Sequence, residues 1–179
     1  RLALIGICVV AITGGLGRFA YTPIIPYMQT TLNISSTDIG LIASSNYLGY
    51  LIGSIIPLIY SFTNRQRLTL YLSVIVSIIT LGLMGLTSDF YVFVLLRFLQ
   101  GISGAIGLVI ATNLIFLQIT VTGRIDLRLA HISGFGLGMF LSAIAIWICS
   151  MFELQWNYQW FVIAILCLVL TIPIISSPL

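Results

Sequence analysis

Long apolar runs alternate with short polar breaks along the whole chain. The runs cover residues 2–27, 39–60, 68–86, 90–117, 129–151 and 160–175, and the breaks carry Asn, Ser, Thr, Gln and nearly all the charges. A helix needs about 20 predominantly apolar residues to cross a hydrocarbon core, and even the sixth and shortest run approaches that length. The pattern predicts an all-α membrane protein: six transmembrane helices with short connections, forming one bundle over residues 1–179.

The polar residues give the expected ends. Pro23 and Pro26 each lack a backbone donor, so the first helix should kink or end near them, with residues 30–38 as a loop. Ser36 or Thr37 should cap the second helix. Residues 118–128 form the longest polar loop, and residues 152–159 a loop rich in Trp and Tyr.

Composition narrows the class. The chain is 60% hydrophobic and 6% charged, with a mean hydropathy of +1.19, whereas a soluble domain carries about 25% charged residues. So few charges cannot form a solvated shell, and the lipid bilayer is the expected surroundings. The net charge of +3 is scattered over short loops and forms no basic patch, which leaves no nucleic-acid partner to expect. The chain has no Lys for a phosphate loop, a single histidine (His131), and four acids far apart in sequence. No metal site, cofactor or catalytic constellation is expected, so the chain does not read as an enzyme. Cys8, Cys149 and Cys167 lie in apolar runs and read as small buried hydrophobes. Arg1 precedes an apolar run too long for a cleavable signal and without a clear cleavage site.

Sidedness follows from the basic residues. Arg1, Arg65, Arg67, Arg124 and Arg128 fall at the N-terminus and in the second and fourth loops, while Asp38, Asp89 and Glu153 mark the first, third and fifth. If every run crosses, the basic loops and both termini face the cytoplasm. Trp156, Tyr158 and Trp160 then belong to an outer aromatic belt.

Only Arg18 and Arg97 fall inside apolar runs. A charge at such depth costs about 2.5–3.5 kcal/mol on insertion scales. At a rise of about 1.5 Å per residue, Arg97 lies about 10 Å, Arg18 about 14 Å and Asn46 about 12 Å from the outer ends of their helices. These three polar groups on three helices therefore share one layer. For each arginine the alternatives are a role in a watery cavity and snorkelling of the guanidinium to the headgroups. For Arg97 the cavity fits better, because Gln100, Gly101 and Gly104 flank it at helical spacing. Asn46, Gly49, Tyr50, Gly53 and Pro57 likewise share one face of the second helix. Asn46 and Gln100 read equally well as interhelical hydrogen-bond glue or as substrate contacts. Tyr21, Tyr47 and Tyr50 read as packing before recognition. Gly134 and Gly138 form a small-xxx-small pair suited to close helix contact, and such glycine seams can also slide. His131, at the cytoplasmic end of the fifth helix, reads as interfacial.

Arg97 followed four residues later by Gly101 resembles the fourth-helix motif of the major facilitator superfamily. The fifth run, with Gly134, Gly136 and Gly138, is similar to that superfamily's fifth-helix motif but lacks its usual proline. Residues 17–26 (GRFAYTPIIP) and 45–53 (SNYLGYLIG) resemble the YbfB/YjiJ-type branch of bacterial facilitators. The loop after the second helix, SFTNRQR, lacks the Asp and Gly of the usual facilitator loop and keeps only its basic residues. The resemblance implies a half bundle of two inverted three-helix repeats. It also implies a twelve-span protein, of which these six spans would be the N-terminal half, with a second six-helix half supplied covalently or as a dimer. The expected activity is alternating-access secondary transport of a small-molecule substrate across a bacterial inner membrane, with proton coupling as an option. The expected cavity residues are Arg97, Arg18, Asn46, Gln100 and Tyr50. Packing and gating fall to Gly49, Gly53, Gly101, Gly104, Gly134, Gly138, Pro23 and Pro26. The rival reading is a six-helix scaffold or sensor that acts through helix–helix contacts without transporting.

Overall fold

A computed structural model describes residues 2–59, 65–123 and 126–176. Arg1, Arg124, the loop residues Thr63 and Asn64, and the terminal Pro178 and Leu179 lie outside the described residues. The first span is a composite. It runs through α1 (Leu2–Val10), a π-helical segment (Ala11–Leu16), a single turn α2 (Gly17–Phe19) and α3 (Tyr21–Leu32). The remaining spans are α4 (Ser36–Ile59), α5 (Gln66–Met84), α6 (Phe90–Thr122), α7 (Asp126–Met151) and α8 (Trp156–Ile175). Among the described residues, six helices are long and apolar enough to cross a membrane: Ala3–Leu32, Ser36–Pro57, Gln66–Met84, Phe90–Thr122, His131–Met151 and Trp156–Ile175.

Several ends differ from the sequence expectation, each for a local reason. The first span does not stop at its prolines. Its interruption falls at Ala20, just before them. Pro23 then sits in the first turn of α3, where a missing N–H costs nothing, and Pro26 is carried inside the helix. The helix ends at Asn33 in the left-handed conformation (φ 51°), which Asn tolerates. The cap of α4 is Ser35 rather than Ser36 or Thr37. Its hydroxyl accepts from the Asp38 N–H at 3.1 Å and donates to the Asp38 carboxylate at 2.7 Å. Asp89 caps α6 by accepting from the Val92 N–H at 3.0 Å. At its other end α6 runs on to Thr122 and stops at Gly123, whose φ of 68° favours glycine. Most of the predicted fourth loop is therefore helix.

The outer aromatic belt also needs correction. α8 starts at Trp156, and Trp156 and Trp160 occupy successive turns of its inward face. Both are buried; Trp156 meets Phe93 edge-on at 6.0 Å between ring centroids, and Trp160 stacks on Tyr21 at 6.4 Å. Tyr158 remains exposed.

Spans 1 and 4 organise the packing. Span 1 is the most enclosed, with 72% of its most apolar window buried against 28–41% for the other five. Span 2 lies against span 4, and span 1 against span 5. Span 3 lies against span 4, and span 6 against span 1. Exchanging 1 with 4, 2 with 5 and 3 with 6 maps the first pair of contacts onto each other, and the second pair likewise. Because each unit has three spans, equivalent spans cross in opposite directions, as inverted repeats require. One apolar core draws buried residues from all six spans, among them Ile12, Ile42, Leu81, Phe93, Ile146 and Trp160.

The two equivalent seams are both built on glycine. Between spans 2 and 4, a Cβ added at Gly49 would collide with the Phe98 carbonyl, and one at Gly101 with the Asn46 carbonyl; at Gly53 it would lie 2.5 Å from the Ile102 carbonyl. Between spans 1 and 5, a Cβ at Gly15 would come within 2.5 Å of the Gly138 Cα, and one at Gly134 within 2.5 Å of the Ile7 carbonyl. Both seams therefore run backbone against backbone, the geometry that small residues permit in membranes. Gly104 makes a third such contact, 2.9 Å from the Thr13 carbonyl on the same measure.

Candidate functional site

The site forms where span 1 is least regular. The π-helical segment carries Gly14 and Gly15, and α2 is a single turn that ends at the Ala20 break. The π segment is wholly buried; such bulges concentrate at functional positions. Thr13 adds to the distortion by bonding back to the Val9 carbonyl at 2.8 Å. At the break the last carbonyls of the helix carry partial negative charge and lack a full set of helical partners.

Arg97 of α6 occupies that point. Its guanidinium donates from Nη1 to the Gly17 carbonyl at 2.8 Å and from Nη2 to the Arg18 carbonyl at 3.1 Å. The Tyr21 ring covers it, with Cζ 4.9 Å from the ring centroid, and Arg97 is 3% exposed. Carbonyl dipoles at a helix C-terminus and an aromatic face both favour a cation, so among the described residues these groups, rather than a carboxylate, compensate the charge. In this conformation Arg97 is enclosed, clasping span 4 to span 1, rather than open to a cavity.

The same turn of α6 is tied to span 2. The Asn46 amide donates to the Arg97 carbonyl at 2.9 Å, while the Asn46 carbonyl packs on Gly101. One turn further along α6, Gln100 accepts from the Thr80 hydroxyl of span 3 at 3.1 Å, and its Nε2 faces Gly17, where an added Cβ would collide with it. Gly17 is thus the point where Arg97 and Gln100 both reach span 1, and only glycine leaves them room. A Ser77–Ser103 hydrogen bond of 3.0 Å continues the polar contact between spans 3 and 4.

Arg18 is placed differently. It is half-buried, and its guanidinium turns to α4, with Cζ 4.7 Å from the Tyr47 ring centroid and 4.9 Å from that of Tyr50. Phe19 lies at 5.7 Å. Tyr47 is exposed. Arg18 Nε has no hydrogen-bond partner among the described residues.

The five expected cavity residues therefore stand together, Arg97, Asn46 and Gln100 in one interlocked layer and Arg18 with Tyr50 at its open edge. Gly49, Gly53, Gly101, Gly104, Gly134 and Gly138 all sit on helix seams, and Pro23 and Pro26 follow the break in span 1. Sequence reasoning gave Gly17 and Thr80 no place in the site and read Tyr21 and Tyr47 as packing before recognition. For Gly17 a signal existed: it directly precedes one of the two arginines inside the apolar runs and lies two residues after the Gly14-Gly15 pair. His131, expected at an interface, is buried, with its Nε2 2.9 Å from the Thr112 hydroxyl of span 4.

No curated protein matches the chain. A family model described as "uncharacterised MFS-type transporter YbfB" matches residues 9–177. With six helices among the described residues long and apolar enough to cross a membrane, and this match along nearly its full length, the chain is a multi-pass integral membrane protein that belongs to the YbfB family of major facilitator-type transporters.

Proposed function

We propose that the chain is one six-helix half of a secondary transporter that moves a small molecule by alternating access. The observation that carries this reading is the Arg97 clasp on the broken span 1, set between two glycine seams. Backbone-on-backbone seams lack interlocked side chains, so the helices can shift along them. A charged side chain holding the break gives the shift a defined point of engagement. The reading places a second six-helix half, covalent or as a second chain, against this one to complete the cavity. It places the protein in a bacterial inner membrane, with the basic loops and both ends of the segment cytoplasmic. The apolar runs contain no Asp or Glu, so proton coupling would use a carboxylate of the second half or of the substrate itself.

The test uses the full-length protein in proteoliposomes, with a substrate found by thermal-shift screening. Arg97→Ala should abolish transport while leaving membrane insertion and expression intact. Unchanged transport would remove Arg97 from the mechanism.

A further inference from the structure

The two arginines inside the spans have different partners, and the difference identifies a ligand class. Arg97 spends its terminal nitrogens on two carbonyls and its face on Tyr21. Arg18 makes no side-chain hydrogen bond among the described residues and is held by ring faces alone. Ring faces stabilise a guanidinium from above and below its plane; they leave its in-plane N–H edge unmatched. No acid can match it from nearby in the sequence, because the four acids, Asp38, Asp89, Asp126 and Glu153, all lie at the ends of the apolar runs or beyond them.

From this we infer that Arg18, flanked by Tyr47 and Tyr50, is a recognition site for an organic anion, with a carboxylate on the guanidinium and an apolar or aromatic body against the tyrosine rings. A planar guanidinium presents paired donors that match a carboxylate bidentately. A tyrosine offers a flat apolar face and a hydroxyl donor at its tip, so one side chain serves both parts of such a ligand. The accessibility is also right, since Tyr47 is 54% exposed and Arg97 3%. Arg97 is then a positioning residue: by holding the Arg18 carbonyl at 3.1 Å it fixes the backbone from which the Arg18 side chain departs. The inference rests on the transporter reading for its place in a cycle, but the anion site stands or falls on binding alone.

The experiment measures thermal shifts of the full-length protein in detergent with benzoate, phenylacetate, acetate and succinate. Benzylamine and benzyl alcohol serve as cationic and neutral counterparts of the aromatic body. At least one carboxylate should raise the melting temperature, an aromatic one more than acetate, and the counterparts should not. Arg18→Gln should remove the shift. Arg18→Lys, which keeps the charge but not the fork, should weaken binding about tenfold or more, the loss of one hydrogen bond to a charged group. Tyr47→Leu should weaken the aromatic acids more than acetate. No shift with any carboxylate, a shift only with benzylamine or benzyl alcohol, or a carboxylate shift undiminished in both Arg18 variants would overturn the anion site. Flux of the bound carboxylate into proteoliposomes separates the two readings: binding without flux would sink transport and leave the site standing.

Discussion

The Arg97 guanidinium and the Gly17 carbonyl meet at 2.8 Å, although 80 residues separate them in sequence. Gly17 lies three residues before the Ala20 break, where the last carbonyls of a helix carry partial negative charge. The charge on span 4 and the irregularity of span 1 are thus two halves of one contact. Arg97→Lys keeps the charge, but an ammonium cannot bridge two carbonyls as a planar fork does. A loss of about 1–3 kcal/mol is expected from the bond given up, read as a lowered melting temperature of the full-length protein. Wild-type melting would mean that the clasp does not hold span 1.

Tyr21 extends the same cluster toward span 6. Its ring lies between Arg97 and Trp160, and its hydroxyl donates to the Ile39 carbonyl of α4 at 3.2 Å. The two functions separate cleanly. Tyr21→Phe loses only the hydrogen bond, worth about 0.5–1.5 kcal/mol. Tyr21→Ala also loses the face over the cation and opens a void beside Trp160, costing about 3–5 kcal/mol as for other large aromatic truncations. Equal destabilisation by the two substitutions would show that the ring contributes nothing to housing Arg97.

Much of this was legible in the sequence, and the limits have physical causes. Run lengths predict the six spans, because hydrocarbon thickness leaves few alternatives. A shared layer for Arg18, Asn46 and Arg97 follows from a fixed rise per residue. Direction within the layer does not follow: nothing local says that Arg97 turns to span 1 carbonyls while Arg18 turns to the rings of α4. That choice depends on the π segment and the Ala20 break, where the helical phase slips. The same blindness affected Trp156 and Trp160. Aromatic residues beside a loop fit the membrane interface and the bundle core equally well by composition, and only the inward face of α8 decides.

His131 offers a test at the other end of the bundle. Its ring lies 2.9 Å from the Thr112 hydroxyl, and a Cβ at Gly6 would lie 3.0 Å from Nδ1, so spans 1, 4 and 5 converge on it. Thr112→Val keeps the shape but removes the hydroxyl, leaving Nε2 buried without that partner. A loss of about 1–3 kcal/mol is expected, measured by thermal unfolding of the full-length protein. A hydrogen bond of no consequence would leave the melting temperature unmoved.

The glycine seams make the sharpest contrast, because the same substitution should behave oppositely on two faces of similar helices. At Gly101 an added Cβ has nowhere to go: it meets the Asn46 carbonyl and lies 2.7 Å from the Tyr50 nitrogen, both backbone atoms that cannot rotate away. Spans 2 and 4 must separate to admit it, which weakens the Asn46 bond to the Arg97 carbonyl and loosens the layer that holds Arg97. Gly101→Ala should therefore cost about 1–3 kcal/mol, the usual range for overpacking a tight contact. It should also impair transport. Gly136 lies two residues from the equivalent seam, yet a Cβ there meets nothing within 4 Å. Gly136→Ala should be neutral or stabilising by up to about 1 kcal/mol, since alanine holds a helix better than glycine. Both variants are compared by melting temperature and by flux in proteoliposomes. If Gly101→Ala melts and transports like wild type, the seam between spans 2 and 4 is looser than its backbone contacts require, and the sliding role proposed for it falls.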